Sequence, residues 1–153
     1  MIIRKGTPDD LEAAFALVQE LAAYEQAPEE VKTSAAQYRK DGFGEKPLFE
    51  FFVAEEEEEV LGIALFYFGY STWKGKMMYL DDLVVKSAAR RRGIGELLFK
   101  QLVAYAKEQN ARQLRWHVLD WNRPAIQFYE KIEARLDSEW ITCKLEQEDM
   151  AKW

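Results

Sequence analysis

The run from Leu83 to Leu102, LVVKSAARRRGIGELLFKQL, limits this chain to few architectures. Met77 to Val85 reads as a strand with an apolar end. From Gly95 to about Gln109 the spacing predicts a helix, with Ile94, Leu97, Leu98, Leu102 and Tyr105 on one stripe. Between them lie three arginines, Arg90 to Arg92, and two glycines one residue apart, Gly93 and Gly95. A strand that passes through a glycine turn into an amphipathic helix is a building unit of α/β folds.

The remaining pattern agrees. Ile2-Ile3-Arg4 reads as a first strand. Thr7-Pro8-Asp9-Asp10 opens a helix, with a hydroxyl cap, an early proline and acids at the positive dipole end. Leu11, Ala14, Phe15, Val18, Leu21 and Ala22 carry it to about Tyr24, and Pro28 breaks it. A second helix is expected over Ser34–Lys40. Phe49–Ala54 and Val60–Tyr70 are β-rich, and the five acids between them read as a solvated hairpin loop. Leu114–Leu119 is expected to be a strand, Pro124–Lys131 a short helix, and Trp140–Leu145 a last strand. The order predicts one α/β domain over residues 1–153, a central mixed twisted sheet flanked by helices.

Composition narrows the function. One cysteine, Cys143, and one histidine, His117, leave no internal disulfide and no Cys/His zinc cluster, so no metal is expected. No apolar run reaches the ~20 residues of a membrane span, and the N-terminus lacks a signal-peptide layout, which suggests a cytoplasmic protein. The formal charge of -6 disfavours nucleic acid and suits a small cationic substrate.

A helix mouth preceded by small residues exposes amides and a partial positive charge, so it suits phosphate, and Arg90 to Arg92 add cationic donors. Neither the P-loop pattern nor the third glycine of a dinucleotide turn is present. What remains is R-x-x-G-x-G, which by itself also fits a plain strand-to-helix turn with basic surface residues. Asp81 and Asp82 stand inside the otherwise apolar strand before it. Two acids there mean a site rather than packing, although regular alternation sends them to opposite faces unless the strand is bulged.

Strand, R-R-R-G-I-G and helix together resemble the acyl-CoA pyrophosphate loop of the GCN5-related N-acetyltransferase (GNAT) superfamily. "LAAYE" (21–25), "DGFGEKPLF" (41–49), "ALFYFGYSTWKGKMMYLDDLVV" (64–85) and "DWNRPAIQFYEK" (120–131) are similar to its spermidine/spermine (diamine) N-acetyltransferase branch. The resemblance implies that acetyl-CoA is the co-substrate. Arg91, Arg92, Gly93, Ile94, Gly95 and Glu96 would wrap its pyrophosphate, chiefly through main-chain N–H groups. The backbone of Leu83, Val84 and Val85 would bind the pantetheine arm like an added strand. Asn122, Arg123, Pro124 and Ala125 would touch the cofactor from the other side, although Asn122 also fits a plain helix cap. Tyr24, Glu25, Asp81, Asp82, Arg115, Trp116 and His117 would line the amine site, and Tyr129 would be the general acid. A homodimer is implied, with the last strand exchanged between subunits.

The implied reaction sets its own requirements. An alkylamine has a pKa near ~10 and must lose a proton; direct transfer to a carboxylate near ~4 is uphill by roughly 8 kcal/mol. An acid that binds the cation and passes the proton through water is easier, with Asp81 as the candidate. A tyrosine near ~10 protonating a thiolate near ~8.5 is uphill by only about 2 kcal/mol, which suits Tyr129. Two departures stand out. Asp81 replaces the branch's glutamate with a side chain one methylene shorter. Glu133 stands where a glycine would suit a left-handed helix end, so a strained or reshaped turn is expected. Acetylation of a protein amine and a non-catalytic acyl-CoA-binding regulatory domain are the competing functions.

Overall fold

Period-two alternation builds one sheet, ordered β1 (Ile2–Lys5), β2 (Glu50–Glu56), β3 (Glu59–Ser71), β4 (Gly75–Val85) and β5 (Gln113–Arg115). The first four strands are antiparallel neighbours, and β5 joins β4 in parallel. The computed structural model describes residues 1–153, which form two units, Met1–His117 and Val118–Trp153. The sheet belongs to the first, with α1 (Leu11–Tyr24), α2 (Ala35–Phe43) and α3 (Ile94–Glu108). The second holds α4 (Arg123–Lys131) and α5 (Gln147–Met150).

Each sheet face buries a different helix. Leu11, Ala14 and Leu17 of α1 pack on Phe51, Val53, Ile63, Leu65 and Val84. The other face belongs to α3: Tyr105 meets the Phe52 ring edge-on at 5.5 Å, and a Cβ on Gly62 would come within 3.2 Å of Leu98. Arg4 locks the start of α1 to the sheet edge. Its guanidinium makes paired 2.7 Å bonds to the buried Asp10 and another to Glu55, and Asp10 also accepts from the Thr7 amide at 2.7 Å. Arg4 holds the Asp10 carboxyl down to about 2. The expected helix start is therefore a Pro8–Asp10 3-10 turn that leads into α1 at Leu11.

The five acids form a tighter turn than a loop. Strands run through Glu56 and resume at Glu59, which leaves Glu57 and Glu58 at φ 50° and 63° as a two-residue hairpin of the kind that matches strand twist. Two expected strands need correction. Leu114–Leu119 shortens to Gln113–Arg115, because β4 offers β5 a ladder only at Met77–Tyr79. Trp140–Leu145 forms no strand of the sheet, and Trp140, Ile141 and Leu145 are exposed.

The helix ends are well hydrogen-bonded yet strained. At α4, Glu133 N–H donates to Glu130 O and Ala134 N–H to Tyr129 O, both at 3.0 Å, with Glu133 at φ 59°. This is the paired-bond ending that glycine normally serves, and the strained alternative expected for Glu133 is the one adopted. Gln26 and Asn110 end α1 and α3 in the same conformation. Replacing Glu133→Gly should stabilise the protein by about 1 kcal/mol, read as a higher urea midpoint at unchanged slope. A lower midpoint would mean that the glutamate side chain contributes more than its backbone costs.

Candidate active site

β4 carries one residue more than β3 can oppose. Leu80 stands opposite Phe66 and Asp82 opposite Leu65, so Asp81 has no counterpart. Opposed residues share a face. Tyr79 therefore lies with Tyr67 on the α1 side before this bulge, and Asp82 and Val84 lie on the α1 side after it. Without the extra residue Asp82 would face α3. Asp81 acts electrostatically on Tyr38 of α2 and on Tyr67, both on the α1 side, so the bulge gathers the two carboxylates.

Their environment disfavours ionisation. Loss of hydration raises the part-buried Asp82 first, then the charges of Asp81 and Glu25 add to it, and its pKa reaches about 7. Desolvation also raises Asp81 and Glu25, although the Asp81 side chain still reaches solvent. Near neutral pH this face holds a protonatable carboxyl among other acids, an arrangement suited to a cation that must release a proton.

The strands part beside the acids. β5 pairs with β4 only up to Tyr79 and Arg115, so from Leu80 onward the far edge of β4 has no strand beside it. Along that edge Val84 is anchored in the core by its side chain, and Val85 O accepts from Arg90 Nε at 3.0 Å. An extended ligand segment fits against the backbone there. Arg115 is opposite Tyr79, and His117 lies two residues farther along, where its Nδ1 is hydrogen-bonded to the Tyr79 hydroxyl. Tyr79 also stacks on Tyr67 with centroids 5.2 Å apart. Trp116 is not on this face; its ring meets Phe99 of α3 edge-on at 5.4 Å.

The glycine turn is built to expose amides. Arg91 and Gly93 have φ of 63° and 78°, and a Cβ on Gly93 would meet nothing within 4 Å, so conformation rather than space calls for glycine. Ile94 is 1% exposed and pins the helix mouth. Leu97 N–H to Gly93 O, at 3.1 Å, is the first ladder bond, and the amides of Ile94, Gly95 and Glu96 stand ahead of it. Arg92 is tied to Glu56 at 2.6 Å, and Glu96 to Lys100 at 2.8 Å. Arg90 lies over the Tyr24 ring at 5.2 Å and reaches Glu20 at 3.3 Å. Arg91 carries no ion pair and remains available as a cation. Left-handed backbone, outward amides and that cation fit a diphosphate.

Glu20 escaped the sequence reading. It also accepts the Ser87 amide at 2.8 Å, so it ties α1 to the segment between β4 and the turn. Its place one helical turn before Tyr24 was the available signal. A cavity of about 430 Å³ lined by Lys5, Phe43, Leu48, Phe49, Tyr67 and Tyr105, among others, shares only Tyr67 with the acidic face and is not the site.

In the second unit, Asn122 is nearly buried and caps α4, its Oδ1 accepting from Ala125 N–H at 3.3 Å. Arg123 and Pro124 form the first turn. Tyr129 is 7% exposed, with its ring 5.4 Å from that of Phe128.

The model of the acetyltransferase (GNAT) family matches residues 14–133. Thialysine N-epsilon-acetyltransferase of Bos taurus is 38% identical over 143 residues, 88% of this chain and 84% of that protein. Human spermidine/spermine N(1)-acetyltransferase-like protein 1 is 33% identical over 83% of this chain, which corresponds to 19% of its own length. Among solved structures, an integron cassette protein from the mobile metagenome of V. cholerae superposes with a TM-score of 0.80 at 26% identity, covering 99% of this chain and 95% of the other.

The acid pair has a thermodynamic signature. Asp82 is raised on folding, so between its unfolded pKa near ~4 and about 7 the folded state binds more protons, and stability falls as pH rises. Asp82→Asn should melt close to wild type at pH 4 and clearly above it at pH 8. An equal offset at both values would mean that Asp82 titrates normally.

Proposed function

This chain belongs to the acetyltransferase (GNAT) family, and from that premise we propose that it acetylates a primary amine of a small cationic substrate, a polyamine, a diamine or a lysine-like amino acid. The observation that carries the proposal is the bulge, which sets two desolvated carboxylates beside the gap between β4 and β5. Acetyl-CoA supplies the activated acetyl group. The turn from Arg91 to Glu96 holds its diphosphate with main-chain amides, and the open edge of Leu83 to Val85 takes the pantetheine arm as an added strand. The family resemblance assigns residues 122–125 to the cofactor as well; because Asn122 occupies the Ala125 amide, Arg123 is the better candidate contact among them.

Asp81, Asp82 and Glu25 attract the ammonium. Asp82 is the better proton acceptor: from an amine near ~10 to a carboxyl at about 7 the transfer is uphill by roughly 4 kcal/mol, against roughly 8 to an ordinary carboxylate. The more exposed Asp81 binds the cation, through water where its shorter side chain falls short. Tyr129 supplies the proton that the departing thiolate requires. Acidic walls favour a dication, which supports the polyamine and thialysine chemistry named for the relatives. Trp140, Ile141 and Leu145 carry the exposed apolar surface that an exchanged strand in a homodimer would bury.

Steady-state rates on spermidine, putrescine, lysine and thialysine should show turnover of at least one of them, with kcat/KM rising through pH 7 as Asp82 ionises. Tyr129→Phe should lower kcat about 10²-fold or more. Acetyl-CoA binding with no turnover of any amine would make the chain a regulatory acyl-CoA-binding domain, and equal rates for Tyr129→Phe would remove Tyr129 as the acid.

A further inference from the structure

The chain has a single histidine, and the fold puts it at the fork of β4 and β5. Tyr79 is the last β4 residue paired with β5, opposite Arg115. Two residues beyond that pair stand Asp81 on β4 and, past the end of β5, His117. Across the sheet, Tyr67, Tyr79 and His117 form a continuous row: the first two rings stack at 5.2 Å, and the Tyr79 hydroxyl is hydrogen-bonded to His117 Nδ1. The row shares its face with Asp81 and Asp82, and both acids act electrostatically on the Tyr79 phenol. The other titratable or charged groups acting at this face are Arg115 on β5, Tyr38 on α2 and Glu25 at the end of α1.

An amine acetyltransferase must discharge one proton per turnover from a pocket whose acids are partly desolvated. A carboxyl that accepts the proton is useful only if it is emptied before the next cycle. Aspartate side chains are short, and no lysine or second histidine shares the face. Tyr79 can serve as a conduit, because a phenol accepts at oxygen and donates its own hydrogen. His117 is exposed, and an imidazole can take a proton at one ring nitrogen and give another to water from the second.

We propose that Tyr79 and His117 form the route by which the substrate proton leaves the acid pair for solvent. The aspartyl proton passes, directly or through water, to Tyr79 Oη, while the Tyr79 hydrogen moves to His117 Nδ1. The resulting imidazolium loses its Nε2 proton to water. One proton enters the chain and one leaves; the ring is left as the Nδ1–H tautomer, and proton exchange with solvent returns it to the Nε2–H form before the next cycle. The inference rests on the amine-acetyltransferase reading above and adds to it a relay outside the resemblance.

The test has two parts. The imidazole nitrogens, unambiguous in a chain with one histidine, are observed by ¹⁵N NMR in the free protein. An Nε2–H tautomer with Nδ1 accepting a hydrogen bond, lost in Tyr79→Phe, is expected; an Nδ1–H tautomer would overturn the relay. In steady state, His117→Gln retains an acceptor for the Tyr79 hydroxyl but cannot carry a proton. Its kcat/KM should fall about 10²-fold with acetyl-CoA affinity and melting temperature unchanged. His117→Ala should fall as far and recover in proportion to added free-base imidazole. Wild-type rates in His117→Gln would reduce His117 to packing and refute the relay. Failure of the wild-type enzyme to acetylate any amine would refute the parent reading instead, and the relay with it.

Discussion

A strand that carries one residue too many reverses the faces of everything downstream of it. In β4 that residue is Asp81. Upstream, Tyr79 faces α1 while Met78 and Leu80 are buried toward α3; downstream, Asp82 and Val84 face α1. The same irregularity leaves Val84 to anchor the strand in the core beside the open edge. Without it, Asp82 would be turned toward α3, away from the face it shares with Tyr79 and Val84. The site and the core are thus two results of one register shift.

The local cost of this arrangement is visible. Desolvation raises Glu25, Asp81 and Asp82, the first two add their charges to Asp82, and none of the three forms an ion pair. A substrate bearing positive charge supplies the missing partner, so binding relieves what folding leaves unresolved. Stability comes from elsewhere: two helices on opposite sheet faces, and Arg4 clamped between Asp10 and Glu55. The outer hairpin and three helix ends tolerate left-handed Glu, Gln and Asn, since their hydrogen bonds are otherwise complete.

Much of this was legible in the sequence because it is local. The strand–glycine–helix run, the Thr7-Pro8 start and the α1 stripe each follow from short-range rules, and the quoted stretches carried the family. At Glu133 the sequence left a strained or a reshaped turn open, and the strained one is adopted. Other features depended on tertiary pairing. Whether Asp81 and Asp82 share a face depends on what β3 offers opposite them, which spacing along β4 cannot disclose. The length of β5 was set by its only neighbour, and the strand expected at Trp140–Leu145 had the right residues but no ladder. Glu20 looked like an ordinary helix-surface acid, and Trp116 a residue of the amine site until the sheet assigned it to the other face. His117 gained meaning only from Tyr79 beside it.

The shared face of the two aspartates is tested most directly by carboxyl ¹³C titration of Asp81 and Asp82, assigned through single substitutions. Coupled curves are expected, with the Asp82 midpoint near 7 and a downward displacement when Asp81 becomes asparagine. Two independent midpoints near ~4, neither responding to loss of the other, would place the carboxylates apart and contradict the bulge as the origin of the site.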